Sequence, residues 1–343
     1  MMKRFRFLSL LLAVVVVPIV AHAQFPEPDG GNLERGVLPR QWQPAGPHCM
    51  EVPDWQVYEY NPTFFIVRQS GCTDYEKPFL YLIFGQDKAL IFDTGSRNGN
   101  LVPTLQRTIH NWLERNHRQS ITLIVTHSHS HEDHTWGDAA VQAMNDPAIP
   151  ITFVPAKVAD EKSFYQISDG PDGKGTDAHG LVDLGQRPID VIPIPGHDTA
   201  SIALYDRHTG ILLTGDSLYP GRLYIHDMAI FQASTERLIR FTEGKPIAHI
   251  LGCHIEETRT PFLDYAIGSI YQPDEHELAL SRGALLELED ALKSLNGVPK
   301  HLALRDFSLW PVAARDYSMS PHTQKTFDQV QAEQLKNKWD QPK

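Results

Sequence analysis

Several features are scarce or absent in this sequence of 343 residues, and each absence argues against a class of protein. There is no basic run and the net charge is −11, so a nucleic-acid backbone is not an expected partner. No internal repeat of solenoid period is present, which argues against a repeat architecture. The N-terminal apolar run, residues 7–20, is shorter than the roughly 20 residues that a spanning helix needs, so no stable membrane anchor is expected.

The N-terminus instead has the three parts of a secretory signal peptide. Basic side chains within residues 3–6 precede the apolar run, and the small residues Ala21 and Ala23 follow it. A membrane anchor is the alternative, but the short run favours cleavage, and no cysteine lies near the site to carry a lipid. We therefore predict that residues 1–23 are a signal peptide, that the mature chain begins at Gln24, and that it is periplasmic or secreted.

The chain contains three cysteines, at positions 49, 72 and 253. In an oxidising compartment Cys49 and Cys72 could form a disulfide that holds the N-terminal segment, although their spacing alone cannot show it. Cys253 is interpreted as a small buried apolar residue rather than as a metal ligand.

The segment from His127 to His134 is the richest in chemistry. It follows the apolar run of residues 121–125, which is typical of a buried strand, and it contains four histidines and one aspartate. Imidazole and carboxylate are ligands that zinc prefers. A strand end can direct alternate side chains at one point, so His129 and His131 could share a metal, while Asp133 and His134 face a neighbouring position. The alternative is a histidine-rich surface loop.

The pattern of His129, His131, Asp133 and His134 resembles the HxHxDH motif of the metallo-β-lactamase superfamily. Four further segments resemble the motifs of that family in the required order: Asp93–Thr94–Gly95, Pro195–Gly196–His197, Thr214–Gly215–Asp216 and Gly252–Cys253–His254. The resemblance covers about residues 75–260 and is to the glyoxalase II-like and lactonase-like branch with two zinc ions.

The resemblance implies a ligand set for two zinc ions per chain. One zinc ion would be held by His129, His131 and His197. The second would be held by Asp133, His134 and His254. Asp216 would bridge the two, since closely spaced dications need an anion between them.

Further residues receive roles by the same resemblance. Asp133 would contribute to catalysis as a ligand, and the hydroxyl of Tyr219 would bond a substrate oxygen, with core packing as the alternative for Tyr219. Asp93 would orient a ligand imidazole, with a simple turn residue as its alternative. His127 would lie outside the ligand set, and His226 would either line the pocket or belong to a loop.

Alternating strand and helix patterns indicate a mixed α/β protein, and the resemblance implies an αβ/βα four-layer sandwich. Residues 166–180 form a polar loop, either a solvated loop or a substrate lid. A capped helix is predicted to start at Asp274 and to end near Gly297. The predicted organisation has four parts: a signal peptide (1–23), an N-terminal arm (24–74), a metallo-β-lactamase-like domain (75–260) and a C-terminal helical extension packed on the same domain (261–343).

Together these features predict an exported metal-dependent hydrolase. It would cleave an ester, lactone or thioester of a small-molecule substrate by attack of a metal-bound hydroxide. A secreted β-lactamase-like amide hydrolase is one alternative, disfavoured because lactamases of the family generally lack an aspartate at the position of Asp216. A mono-iron sulfur dioxygenase is another, disfavoured because the second ligand set is complete and a signal peptide is present. The sequence does not indicate the oligomeric state.

Overall fold

A computed structural model describes residues 30–42 and 52–314. The predicted signal peptide, Cys49 and residues 315–343 lie outside the described residues. Cys72 is disulfide-bonded, whereas Cys253 is a free, buried thiol. Among the helices of the described part, none has the length and apolar character that crossing a membrane requires.

The first sheet has six strands that pair in the order in which they occur in the sequence. They are β1 (Trp55–Asn61), β2 (Phe64–Gln69), β3 (Phe79–Phe84), β4 (Lys88–Phe92), β5 (Thr122–Thr126) and β6 (Ile151–Phe153). The first four are antiparallel, while β4, β5 and β6 are parallel. The parallel connection from β4 to β5 runs through helix α1 (Val102–Arg115), which covers the outer face of the sheet.

The second sheet also has six strands, in the order β13, β12, β10, β9, β8 and β7. These are β7 (Gly180–Asp183), β8 (Pro188–Pro193), β9 (Ile202–Asp206), β10 (Ile211–Gly215), β12 (His249–Gly252) and β13 (Ala279–Leu280). Strands β10 and β12 are parallel, and helix α5 (Met228–Thr242) lies between them in the chain. A smaller third sheet contains β11 (Arg222–Ile225), β15 (Ser308–Pro311) and β14 (Leu302–Ala303).

Three apolar clusters show how the layers stack. One lies between the two large sheets and joins residues such as Phe92 and Leu213. A second packs α1 on the outer face of the first sheet, and a third packs α5 and helix α6 (Arg282–Leu295) on the outer face of the second. The order is therefore helix, sheet, sheet, helix, which confirms the predicted αβ/βα four-layer sandwich. Three short helices complete the fold: α2 (Glu132–Thr135), α3 (Asp138–Gln142) and α4 (Val158–Phe164).

Two elements differ from the sequence prediction. Strands β1 and β2 lie inside the span 24–74 that was assigned to an N-terminal arm, and they form one edge of the first sheet. The C-terminal helix begins at Arg282 with Ser281 as its cap, not at Asp274. Glu275, one of the acidic residues that predicted the helix start, instead forms a buried ion pair with Arg68 at 2.6 Å. This tertiary contact accounts for the acidic residue without a helix at this place. The helix ends at Leu295, close to the predicted Gly297.

Candidate metal centre

Four strand ends bring the predicted ligands to one edge of the sandwich. The segment 127–134 follows β5 in the first sheet. His197, Asp216 and His254 follow β8, β10 and β12 in the second sheet. The centre is therefore built between the two sheets, where the core packing fixes the loops against each other.

Three imidazoles converge at the first position, and we call His129, His131 and His197 the imidazole group. His129 Nε2 lies 2.9 Å from His131 Nδ1 and 3.2 Å from His197 Nε2. His197 Nε2 lies 3.1 Å from His131 Nδ1. His129 and His197 are buried, and His131 is half-buried.

Two carboxylates and two imidazoles converge at the second position, and we call Asp133, His134, Asp216 and His254 the mixed group. Asp133 Oδ2 lies 3.1 Å from His134 Nε2 and 3.4 Å from His254 Nε2. The two imidazole Nε2 atoms are 3.4 Å apart.

Asp216 faces both groups with different oxygens. Its Oδ2 lies 3.7 Å from His197 Nε2 and 4.0 Å from His129 Nε2. Its Oδ1 lies 3.6 Å from His134 Nε2 and 3.4 Å from His254 Nε2. One carboxylate thus spans the two positions, as a bridging ligand would.

The donor atoms fit a small dication. Tetrahedral zinc with Zn–N distances of about 2.0–2.1 Å places its ligand atoms about 3.3 Å apart, close to the separations in both groups. Asp216 Oδ1 is buried and forms no hydrogen bond within the described part of the chain. A buried carboxylate oxygen without a hydrogen bond is costly unless a cation satisfies it.

The protonation of the histidines differs between the groups. Burial, with the neighbouring His134, holds the pKa of His129 well below its usual range, and burial also lowers the pKa of His197. Burial acts in the same direction on His134 and His254, but the carboxylates of Asp133 and Asp216 outweigh it and raise the pKa of both. The mixed group therefore attracts positive charge, whereas His129 and His197 offer neutral nitrogen lone pairs.

Asp93 lies directly behind the mixed group. Its Oδ2 accepts from His134 Nδ1 at 3.0 Å and from Ser128 Oγ at 2.9 Å, and its Oδ1 accepts from the Ser128 backbone N–H at 2.6 Å. The Cys253 thiol also donates to it, at 3.3 Å. Asp93 is fully buried, with φ 77°. It therefore occupies the orienting position predicted for it and not that of an ordinary turn residue.

Backbone carbonyls orient two other imidazoles, and sequence reasoning missed both. His254 Nδ1 donates to the Glu76 carbonyl at 2.8 Å, and His197 Nδ1 donates to the Tyr224 carbonyl at 2.7 Å. Each bond directs the Nε2 lone pair of its ring toward the other ligands of its group. Every residue has a backbone carbonyl, so no residue type in the sequence indicates which carbonyl accepts a hydrogen bond from an imidazole.

Tyr219 is placed differently from its predicted catalytic role. Its ring packs 5.5 Å from that of His254, but its hydroxyl donates to the Arg222 carbonyl and lies 3.3 Å from Glu256 Oε2. The side chain is only 2% exposed. Its polar end is therefore engaged within the protein, and the geometry favours the packing alternative.

The remaining candidates lie around the centre. His127 Nε2 bonds Asp138 Oδ1 at 2.8 Å, outside both groups. His226 is exposed, with ring centres 6.1 Å from His131 and 6.0 Å from His197, so it lies at the mouth of the imidazole group. Within the polar loop 166–180, carbonyls near Gly175 accept from Arg237 and Arg240 of α5, so the loop is attached to that helix.

Comparison with known proteins agrees with this architecture. The family model "Metallo-beta-lactamase superfamily" matches residues 77–290, which reaches past the predicted boundary at 260 and into α6. The chain belongs to the metallo-β-lactamase superfamily. Its groups of histidine and aspartate could hold a metal ion.

Individual relatives are distant. The chain is 31% identical over 78 residues to the human "Acyl-coenzyme A thioesterase MBLAC2", covering 22% of this chain and 28% of that protein. The Gallus gallus protein of the same name is 30% identical over the same length. The chain therefore spans well under half the length of the curated relatives it matches.

Solved structures with similar folds include the DIM-1 metallo-beta-lactamase, with 13% identity and a TM-score of 0.43 over 71% of this chain and 99% of that one. The metallo-beta-lactamase from Pontibacter korlensis has 15% identity and a TM-score of 0.44, over 70% of this chain and 99% of that one.

Proposed function

We propose that this chain is an exported hydrolase with two zinc ions, and that it cleaves an ester, lactone or thioester of a small-molecule substrate. The observation that carries the proposal is the position of Asp216. Its two carboxylate oxygens face different ligand groups, at 3.7 Å from His197 and 3.4 Å from His254. A site for one ion would not need a carboxylate that spans two sets of donors.

In this proposal the imidazole group holds one zinc ion and the mixed group holds the other. When bound, two zinc ions supply a water of lowered pKa and polarise the carbonyl that is attacked. Asp93 keeps the proton of His134 on Nδ1, so that Nε2 is free to act as a ligand. The carbonyls of Glu76 and Tyr224 do the same for His254 and His197.

The mouth of the centre indicates where the substrate approaches. His226 is exposed beside His131 and His197, and Asp133 is about one-fifth exposed at the mixed group. His131 is half-buried, and the other five proposed ligands are buried beneath them. The substrate therefore meets the centre from the side of His131 and Asp133, and the hydroxyl of Tyr219 is not part of the surface it meets.

Two observations support the finer parts of the proposal. The disulfide at Cys72 suits the oxidising environment of an exported protein. The curated relatives are named as thioesterases, and a thioester is one of the three acyl bonds proposed here. Thioesters are accordingly the first substrates to test.

The test combines metal analysis with a substrate panel. Mass spectrometry of the purified mature protein is expected to find two zinc ions per chain, and chelation is expected to abolish hydrolysis. The panel contains acyl thioesters, lactones, aryl esters, phosphodiesters and the lactam nitrocefin. Activity confined to nitrocefin or to phosphodiesters would overturn the substrate class, and a single tightly bound iron would overturn the two-zinc centre.

A further inference from the structure

The loop between β2 and β3, residues 70–78, lies against the mixed group. Its residue Glu76 supplies the carbonyl that accepts from His254 Nδ1 at 2.8 Å. Immediately afterwards the Phe79 backbone N–H donates to the Cys253 carbonyl at 2.8 Å. The orientation of the His254 ring therefore depends on where this loop is held.

Lys77 holds the loop from inside the protein. Only 4% of the residue is exposed, and its ammonium donates to the Tyr75 carbonyl and to the Ser269 carbonyl, the latter at 2.9 Å. Its backbone has φ 50°, a conformation that a non-glycine side chain seldom adopts. A buried ammonium and an uncommon backbone conformation are both unfavourable in isolation, so this lysine is fixed by the structure around it.

The second acceptor, the Ser269 carbonyl, lies in the segment that follows His254 in the chain. Ser269 belongs to residues 256–278, which leave the end of β12 just beyond His254 and return as β13. This segment is anchored separately, because its Glu275 forms the buried ion pair with Arg68 of β2. Lys77 thus joins the loop that orients the imidazole to the segment into which the imidazole's own strand continues.

We propose that Lys77 is a positioning residue for His254 and that it thereby sets the affinity of the mixed group for its metal. The inference rests on the proposed two-metal function. Without the ammonium, the carbonyl of Glu76 is no longer held at its distance from Nδ1, so the ring of His254 samples orientations that direct Nε2 away from Asp133 and Asp216. The hydrogen bonds and ring contacts described for His129, His131 and His197 do not involve this loop, so the affinity of the imidazole group should stay as it is.

The experiment is a Co²⁺ titration of metal-free protein, with binding followed by the visible absorption bands and by competition with a chelator. Native protein is compared with Lys77→Met, which keeps the length of the side chain and removes the charge and the donors. Lys88→Met is the matched control, because Lys88 also donates to a backbone carbonyl, that of Asp183 at 3.2 Å, but at the opposite end of β4 from Asp93. Leu288→Ala, in the apolar face of α6, controls for loss of stability alone.

In Lys77→Met the Co²⁺ binding step of the mixed group is expected to lose about tenfold in affinity, the lower end of what removal of an outer contact costs a metal site. The other step should remain within about twofold, and both controls should keep native affinities. If Lys77→Met does not fold, Lys77→Arg, which keeps the charge on a group of different shape, should show a smaller loss in the same step. Native affinities in any folded Lys77 variant, or an equal loss in Leu288→Ala, would overturn the positioning role. A native protein that binds only one ion would instead refute the proposed function itself.

Discussion

The two halves of the metal centre are built on different physical principles. The imidazole group consists of three rings whose nearest carboxylate oxygen, Asp216 Oδ2, is 3.7–4.0 Å away. The mixed group contains two carboxylates within 3.1–3.6 Å of its two imidazoles and has the buried carboxylate of Asp93 behind it. One half thus has few carboxylates near its nitrogen atoms, and the other concentrates negative charge in a buried place.

The difference shows which contacts each half requires. Imidazoles that a lowered pKa keeps neutral, as in His129 and His197, can face one another without a cation, so the imidazole group depends mainly on the loops that position its rings. Buried carboxylates need a cation or a proton, and Asp133 and Asp216 accordingly raise the pKa of His134 and His254. Substitutions that remove charge should therefore affect the mixed group first.

The largest effect is expected from Asp216→Ala, which removes the bridge and leaves the two halves as separate sites. Occupancy of the mixed group should collapse and turnover should fall by about three orders of magnitude or more, equivalent to a loss of about 4 kcal/mol in transition-state stabilisation. Metal content and steady-state kinetics measure both. Circular dichroism should show a retained fold, and Asp169→Ala, on the exposed loop, is the control. Two retained metal ions with near-normal turnover would contradict the bridging role.

A smaller effect, confined to one half, is expected from Asp93→Asn. The amide can no longer accept at both oxygens, so the contacts of His134 and Ser128 cannot all be kept. Affinity for the metal of the mixed group should fall by about 10- to 100-fold, while the imidazole group keeps its ion. Dialysis against increasing concentrations of chelator, with the metal content measured at each step, distinguishes the two metal sites. An equal loss of metal affinity in both groups would show that Asp93 supports the whole metal centre and not His134 alone.

A third prediction concerns Glu257, whose carboxyl group is buried and has one oxygen without a hydrogen bond in the described part of the chain. Glu257 is 2% exposed, and burial together with Asp264 raises its pKa to about 8. Because the folded pKa lies above the unfolded one, its favourable contribution is complete below about pH 4.5 and is lost as the pH rises through about 8. Glu257→Gln should therefore stabilise the protein more at pH 8 than at pH 5, by about 3 kcal/mol, or roughly 6–12 °C in the melting temperature. Melting curves at both pH values, with exposed Glu243→Gln as the control, provide the measurement. A pH-independent difference would argue against this titration.

The smallest effect is expected from Tyr219→Phe. The lost hydroxyl bonds the Arg222 carbonyl, so the variant should lose about 1 kcal/mol of stability and keep turnover within about threefold of native. Steady-state kinetics on the substrate that the panel identifies, together with a melting curve, distinguish the two roles. A tenfold loss of turnover at unchanged stability would restore the substrate-binding role originally expected of Tyr219.

Much of the centre was predictable because its chemistry is local in the sequence. Residues 129–134 supply four donors from a single loop, and the remaining three each follow a strand and a glycine-containing turn. The sandwich was expected from the resemblance. Strands β1 and β2 were not predicted, because their mixed apolar and polar residues follow a segment rich in proline and glycine that is typical of an arm without regular structure.

Contacts made across the fold were not predictable in the same way. The Glu76 carbonyl is 178 positions from His254, and Arg68 is 207 positions from Glu275. A carbonyl belongs to every residue, and a buried ion pair requires knowledge of which loops meet. The hydroxyl of Tyr219 illustrates the same limit, since its place beside Asp216 in the sequence does not determine the direction in which its ring turns.

The position of Tyr219 has a consequence for which residues can vary. A side chain at Gly252 would place its first carbon 2.4 Å from Tyr219 Cβ and 2.6 Å from the Leu218 carbonyl oxygen, both of which are closer than atoms can approach. In a scan of every substitution, position 252 should therefore tolerate as little change as the histidine two places later, although it contributes no reactive group. Positions that tolerate no substitution in this protein would then include those that leave space for neighbouring atoms, such as 252, as well as those whose side chains are proposed to bind metal.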